Sequence, residues 1–114
     1  MDINKIADKA YDNAKRLGKL ASNRNAIDKI RDVKGEYIEA VKALSCGKHA
    51  DITYFLELFN TTDNSFEFCF KEALKDTYEQ ELTDILFVVL TLMKDCDMDI
   101  EKHVSMGLEY NKVR

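Results

Sequence analysis

At 114 residues the chain has length for one domain with a modest core, and not for two. Apolar residues make up 46% and charged residues 33%, which excludes a disordered chain and fits a globular one. The 17 basic and 21 acidic residues leave a net charge of −4 without a basic run, which argues against nucleic acid or an anionic membrane as partner.

The opening segment, MDINKIADKAYD, carries a charge every few residues and lacks the apolar core of a secretion signal. The longest apolar stretch, from Ile85 to Met93, falls far short of a membrane span. A cytoplasmic setting is therefore expected, and the sequon Asn60-Thr61-Thr62 carries no meaning there. Cys46, Cys69 and Cys96 are odd in number, widely spaced and without a CxxC pair. They read as reduced, partly buried thiols, neither a disulfide frame nor a zinc site.

Proline is absent and glycine occurs four times, so long helices are expected. The first helix spans residues 2–18, with Ile3, Ile6, Ala7, Ala10, Ala14 and Leu17 at helical spacing and Gly18 as its stop. Residues 19–25 form a connection. The second helix, 26–45, has the apolar stripe Ile27, Ile30, Tyr37, Ile38, Val41 and Leu44, and Cys46-Gly47 closes it. Residues 47–77 form a partly helical insert: a short helix over 50–59, a turn over 60–64 and another helix over 65–75. Phe66-Glu67-Phe68-Cys69-Phe70 also alternates as a strand would. The third main helix, 77–96, is apolar on every side from Ile85 to Met93 except at Thr91, the pattern of a helix buried all round. One small bundle cannot cover such a helix, so a second subunit is expected against it. Asp99 caps the fourth main helix, which runs from residue 100 to the end. The fold class expected is all-α, a bundle of four main helices.

Two carboxylate pairs at i,i+3 carry the candidate chemistry: Glu36 with Glu39, and Glu81 with Asp84. Residues three apart share a helix face, so each pair directs its carboxylates at one point. Antiparallel packing of the two helices would gather all four, an oxygen-rich setting suited to a hard cation such as Mg²⁺. Composition alone yields about four such pairs in a chain with this acid content, most of them solvated. Position distinguishes the second pair. Glu81 and Asp84 share a stripe with Val88 and Thr91, flanked by Leu82, Ile85, Leu86 and Val89. Carboxylates leading into a buried helix cost several kcal/mol in desolvation unless a positive charge offsets them. Gly35, Ala40 and Ala43 leave room beside Glu36 and Glu39 for a ligand or a close helix crossing.

Gly35-Glu36-Tyr37-Ile38-Glu39-Ala40 resembles the ExxE element of MazG-like nucleoside-triphosphate pyrophosphohydrolases, and Glu81-Leu82-Thr83-Asp84-Ile85-Leu86 resembles their ExxD element. Residues 97–104 are similar to that family's link into its last helix, residues 109–114 to its closing segment, and residues 10–15 to its opening helix. The likeness runs in order along the chain except in the middle. It implies an all-α homodimer or homotetramer that cleaves a nucleoside triphosphate to monophosphate and pyrophosphate with Mg²⁺, or Mn²⁺ in its place. It further implies Glu36, Glu39, Glu81 and Asp84 as catalytic metal ligands, with one of them able to serve as the water base instead. Asn111, Lys112 and Arg114 are the implied substrate contacts.

Three departures stand out. The interval between Glu39 and Glu81 is long, Gly107 stands where the family often has a lysine, and Gln80 replaces a frequent second acid. The Gly107 change keeps a second reading open: a catalytically weak relative that binds nucleotide and Mg²⁺ as a sensor or interaction module. A third is a purely structural helical oligomer with all four acids solvated. Asp95, Asp97 and Asp99 begin like a calcium loop, but Ile100 and Met106 occupy positions that need Gly and Glu. His49 and His103 lack ligand spacing. Phe55, Phe59, Phe66 and Phe70 read as core, or as a stacking surface that would set substrate choice within the insert.

Overall fold

Each helix begins at a residue whose side chain meets the unsatisfied backbone N–H groups of a first turn, and three of the six end where the chain turns left-handed. In the computed structural model, which describes residues 2–61 and 63–114, six helices follow one another: α1 (Ile3–Arg16), α2 (Ala26–Ser45), α3 (Ile52–Thr61), α4 (Phe66–Ala73), α5 (Tyr78–Asp95) and α6 (Ile100–Val113). The described residues include no strand. The alternation over 66–70 therefore resolves as helix, started by Ser65, whose Oγ accepts from the Phe68 N–H at 3.1 Å. Thr62, in the expected turn and sequon, lies outside the described residues.

Capping explains the boundaries. Asp2 accepts from Asn4 N–H, and Asp99 accepts from Lys102 N–H. At the start of α2, Asn25 and Asp28 each accept from the other's N–H, at 2.8 and 3.1 Å. Thr77 at the head of α5 accepts from Gln80 N–H and donates to the Leu74 carbonyl. After α1 and α2 the chain turns left-handed at Gly18 and Gly47, and the N–H groups of Lys19 and Lys48 reach back to the carbonyls of Ala14 and Ala43. The end of α5 repeats the motif with Asp97 at φ 58° and Met98 N–H on the Met93 carbonyl.

The chain divides into two compact units, Met1–Val33 with Leu86–Arg114, and Lys34–Ile85. In the first, Ala7, Leu90 and Ile100 form the buried centre, with Ile3, Ile6, Met93 and Met98 against it. Asn4 accepts from the Glu101 N–H, which ties α1 to the head of α6. Arg24 organises the connection into α2: it meets both carboxylate oxygens of Asp32, at 2.9 and 3.0 Å, and donates to the Lys19 and Asp28 carbonyls. Ion pairs Lys29–Asp95 and Lys94–Asp8 lie in the same unit. In the second unit, α3 and α4 pack through Phe55, Phe59, Phe66 and Phe70, whose ring centroids lie 5.5–6.1 Å apart. Cys69 and Ala73 are buried in that unit. Cys69 is thus a core thiol, whereas Cys46 and Cys96 are exposed; all three are free.

The 77–96 segment is helical and, as expected of so small a bundle, the single chain does not cover it on every side. Leu82, Leu86, Phe87 and Val89 are exposed, while Glu81, Leu90 and Thr91 are buried. On α2 likewise Ala40 and Ala43 are buried, and Tyr37, Ile38, Val41 and Leu44 are exposed. Both helices thus present one covered and one uncovered face within the chain. No helix among the described residues is long and apolar enough to cross a membrane.

The three left-handed helix stops differ in one respect: Gly18 and Gly47 adopt this backbone without steric cost, and Asp97 does not. Asp97→Gly is expected to stabilise the protein by roughly 0.5–1 kcal/mol, read as a rise of a few degrees in melting temperature. An unchanged or lowered value would refute the strain.

Candidate functional site

Three of the four candidate carboxylates converge in the second unit. Glu36 projects from α2, and Glu81 and Asp84 project from the first two turns of α5. One carboxylate oxygen from each lies within 4.8 Å of the other two. Glu36 and Asp84 are half-buried, whereas Glu81 is only 6% exposed. Glu39 lies outside this trio on the exposed side of α2, yet near enough for its charge to act on Glu81.

The electrostatics of Glu81 follow from this placement. Burial raises its carboxyl above the usual range, and the charges of Asp84, Glu36, Glu39 and Asp76 push the same way. Among the described residues no hydrogen-bond donor or cation meets its carboxylate. Only its place in the first turn of α5, where backbone N–H groups carry partial positive charge, works in the opposite sense. Asp84 differs, because Gln80 Nε2 donates to its Oδ1 at 3.1 Å. Gln80, read from the sequence only as a missing acid, thus donates a hydrogen bond to Asp84. The i,i+4 spacing of a glutamine and an aspartate on one helix was the available signal.

The start of α5 is pinned by a second contact set that spacing did not reveal. Glu79 accepts from the Ala50 N–H at 2.9 Å and pairs with His49 Nδ1 at 2.8 Å. Those contacts, led by the Ala50 N–H, lower its carboxyl pKa. His49 also packs edge-on against Tyr78, and the Tyr78 N–H donates to the Lys48 carbonyl. The segment after α2 is thereby tied to the turn that carries Glu81. His49 is half-exposed and serves this contact, as a histidine without ligand spacing is expected to.

The implied substrate contacts belong to the other unit. Asn111 and Lys112 line a shallow, open groove on α6 with Ser105, Leu108 and Glu109. Lys112 Nζ pairs with Glu109 at 2.9 Å, and Arg114 is the C-cap residue of α6. Gly107 is exposed, and a Cβ there would meet nothing within 4 Å, so a larger residue fits. Gly35 has the same open surroundings, hence no helix crosses closely over it within its unit; Ala40 and Ala43 are the small residues that are covered.

The trio fits a hard divalent cation by donor chemistry: all oxygen, anionic, one member buried, and one carboxylate that accepts from an amide. No protein-family model, curated protein or solved structure matches the chain.

The raised Glu81 pKa has a definite sign. Its contribution to stability is fully present below the ordinary carboxylate range, where Glu81 is protonated in both folded and unfolded chains. It is lost as pH rises through the folded-state value. Without divalent cation, Glu81→Gln is expected to gain about 1 kcal/mol at pH 7, near 4 °C in melting temperature, and nothing in acid. Equal melting of the two proteins at pH 7 would contradict this account.

Proposed function

We propose that this chain is a Mg²⁺-dependent hydrolase that converts a nucleoside triphosphate to the monophosphate and pyrophosphate. The observation that carries the reading is the Glu81 carboxylate, desolvated and faced by Glu36 and Asp84 instead of by a positive charge. Such an arrangement opposes folding unless a cation joins it, and sites that bind ligands regularly bear this kind of cost. The likeness of residues 35–40 and 81–86 to the ExxE and ExxD elements supplies the reaction class. Glu36, Glu81 and Asp84 would hold the cation, with Mn²⁺ an acceptable substitute. When bound, the cation neutralises the triphosphate and lowers the pKa of attacking water. Glu39, one turn from Glu36 and outside the trio, is assigned to take the proton of that water. Water adds to the α-phosphorus as the bond to the bridging oxygen breaks, and pyrophosphate leaves. Asn111, Lys112 and Arg114 are assigned to the substrate, with Lys112 first released from Glu109.

The assembly belongs to the same reading. The uncovered apolar faces of α2 (Tyr37, Val41, Leu44) and α5 (Leu82, Leu86, Val89) are suited to a second copy, giving a homodimer or homotetramer in a cytoplasmic setting. Light scattering is expected to return two or four times 13.2 kDa. A monomer at micromolar concentration would remove this part of the reading.

Gly107 supports one alternative, a weak relative that binds nucleotide and Mg²⁺ as a sensor or interaction module, because it leaves α6 without a cation at that position. Pyrophosphate release from a panel of ribo- and deoxynucleoside triphosphates separates the two. Release that requires Mg²⁺, stops with chelator and falls roughly a hundredfold in Asp84→Ala is expected. Absent release from a protein whose melting temperature Mg²⁺ still raises would leave only the binding module. A melting temperature indifferent to Mg²⁺ and Mn²⁺ would end both readings.

A further inference from the structure

The packing of α6 declines along its length. Ile100, at its head, is 1% exposed in the cluster with Ala7 and Leu90. Val104 and Leu108 continue the same stripe one and two turns on, yet they are 39% and 59% exposed. Met106, Tyr110 and Val113 make a second apolar stripe on the opposite side, each more than half exposed. Every residue of α6 after Ile100 is exposed.

A helix so placed does not sustain itself. Isolated helices shorter than about 12–15 residues are marginal in water, and most helical stability in proteins comes from packing an apolar face. α6 has 14 residues, and Gly107 in its interior costs about 1 kcal/mol against alanine. A stripe covered at its first residue and bare over the next two turns lacks that packing within the chain.

The chain carries a matching surplus of surface. Its 8398 Å² compares with about 6,400 Å² for a folded monomer of 13.2 kDa. Counting the two units as separate bodies raises that expectation only to roughly 7,700 Å². The surplus, about 700 to 2,000 Å² per chain, spans what one partner buries in interfaces from standard size to obligate. A second copy suits this surface, because the chain brings both halves of the contact: the bare stripes of α6 and the uncovered apolar faces of α2 and α5. Two copies about a two-fold axis satisfy such surfaces reciprocally.

We propose that residues 104–113 of α6 form an arm that packs on a second copy of this chain, and that this packing is a condition of stable folding. The inference extends the assembly part of the reading above, which concerns α2 and α5, and is independent of the hydrolase chemistry.

The test is thermal melting and sedimentation velocity of the full chain over a hundredfold range of concentration, for wild type, Leu108→Lys and Leu17→Lys. Leu17 is the matched control: it is 59% exposed, as Leu108 is, and lies at the end of α1. A lysine near a helix C-terminus favours the dipole, so neither substitution harms a helix that faces only water. Wild type is expected to sediment as an assembly and to gain roughly 5 °C or more in melting temperature across the range. Leu108→Lys is expected to weaken association about a hundredfold and to melt lower, with Leu17→Lys unchanged. If Leu108→Lys does not fold, hydrogen exchange of wild type decides: protection over residues 104–113 is expected to rise with chain concentration. An assembly that Leu108→Lys leaves intact, equal effects of the two substitutions, or exchange over 104–113 indifferent to concentration overturns the inference and leaves assembly through α2 and α5 standing. A monomeric wild type whose melting ignores concentration overturns both and leaves α6 to a different partner.

Discussion

A carboxylate removed from water and surrounded by other carboxylates is the constraint on which the second unit depends. Each neighbour that acts on Glu81 is an acid, and burial acts in the same direction. Such a group resists ionisation and makes the ionised fold less stable, so its surroundings have to be held against relaxation. The head of α5 shows how. Thr77 caps the helix, Glu79 ties it to His49 and Ala50, and Gln80 donates to Asp84. These contacts are polar and directional, so they fix Glu81 beside Glu36 at a separation that like charges alone would enlarge.

The apolar residues tell a complementary story. Small alanines are buried on α2, while larger residues on the same helix remain exposed; α5 repeats the division with Leu90 inside and Leu82, Leu86 and Val89 outside. Burial of apolar surface is the main favourable term in folding at about 25 cal/mol per Å², so an exposed stripe of this kind leaves that gain unrealised within one chain. The covered face of α5 carries Glu81 and Leu90, and the uncovered face carries Leu82, Leu86 and Val89. In an assembly formed through the uncovered faces, the carboxylates would be held on elements stiffened from behind.

The insert was the least legible part of the sequence. Phe66 to Phe70 satisfies both a helical and an alternating pattern, since aromatic residues at 66, 68 and 70 fit a strand while 66 and 70 also stack one helical turn apart. Ser65 as a cap and the packing of α3 against α4 decide in favour of helix. The extent of apolar residues along 85–93 reports how apolar that helix is, whereas which of its residues the single chain covers is decided by packing.

The helix boundaries were readable because their causes are local. Asp99 as a cap and Gly18 and Gly47 as stops, all read from the sequence, act within four or five residues of themselves, as do the caps Asp2, Ser65 and Thr77 that the structure adds. The i,i+3 pairs Glu36–Glu39 and Glu81–Asp84 were readable for the same reason: helical periodicity alone places each pair on one face. Which members meet was not. That Glu36, Glu81 and Asp84 converge while Glu39 stays outside depends on how two helices, more than forty residues apart in sequence, are set against each other. The desolvation of Glu81 and the hydrogen bond from Gln80 to Asp84 likewise follow from tertiary packing, because a dielectric environment and a rotamer are properties of surroundings that one-dimensional spacing does not contain.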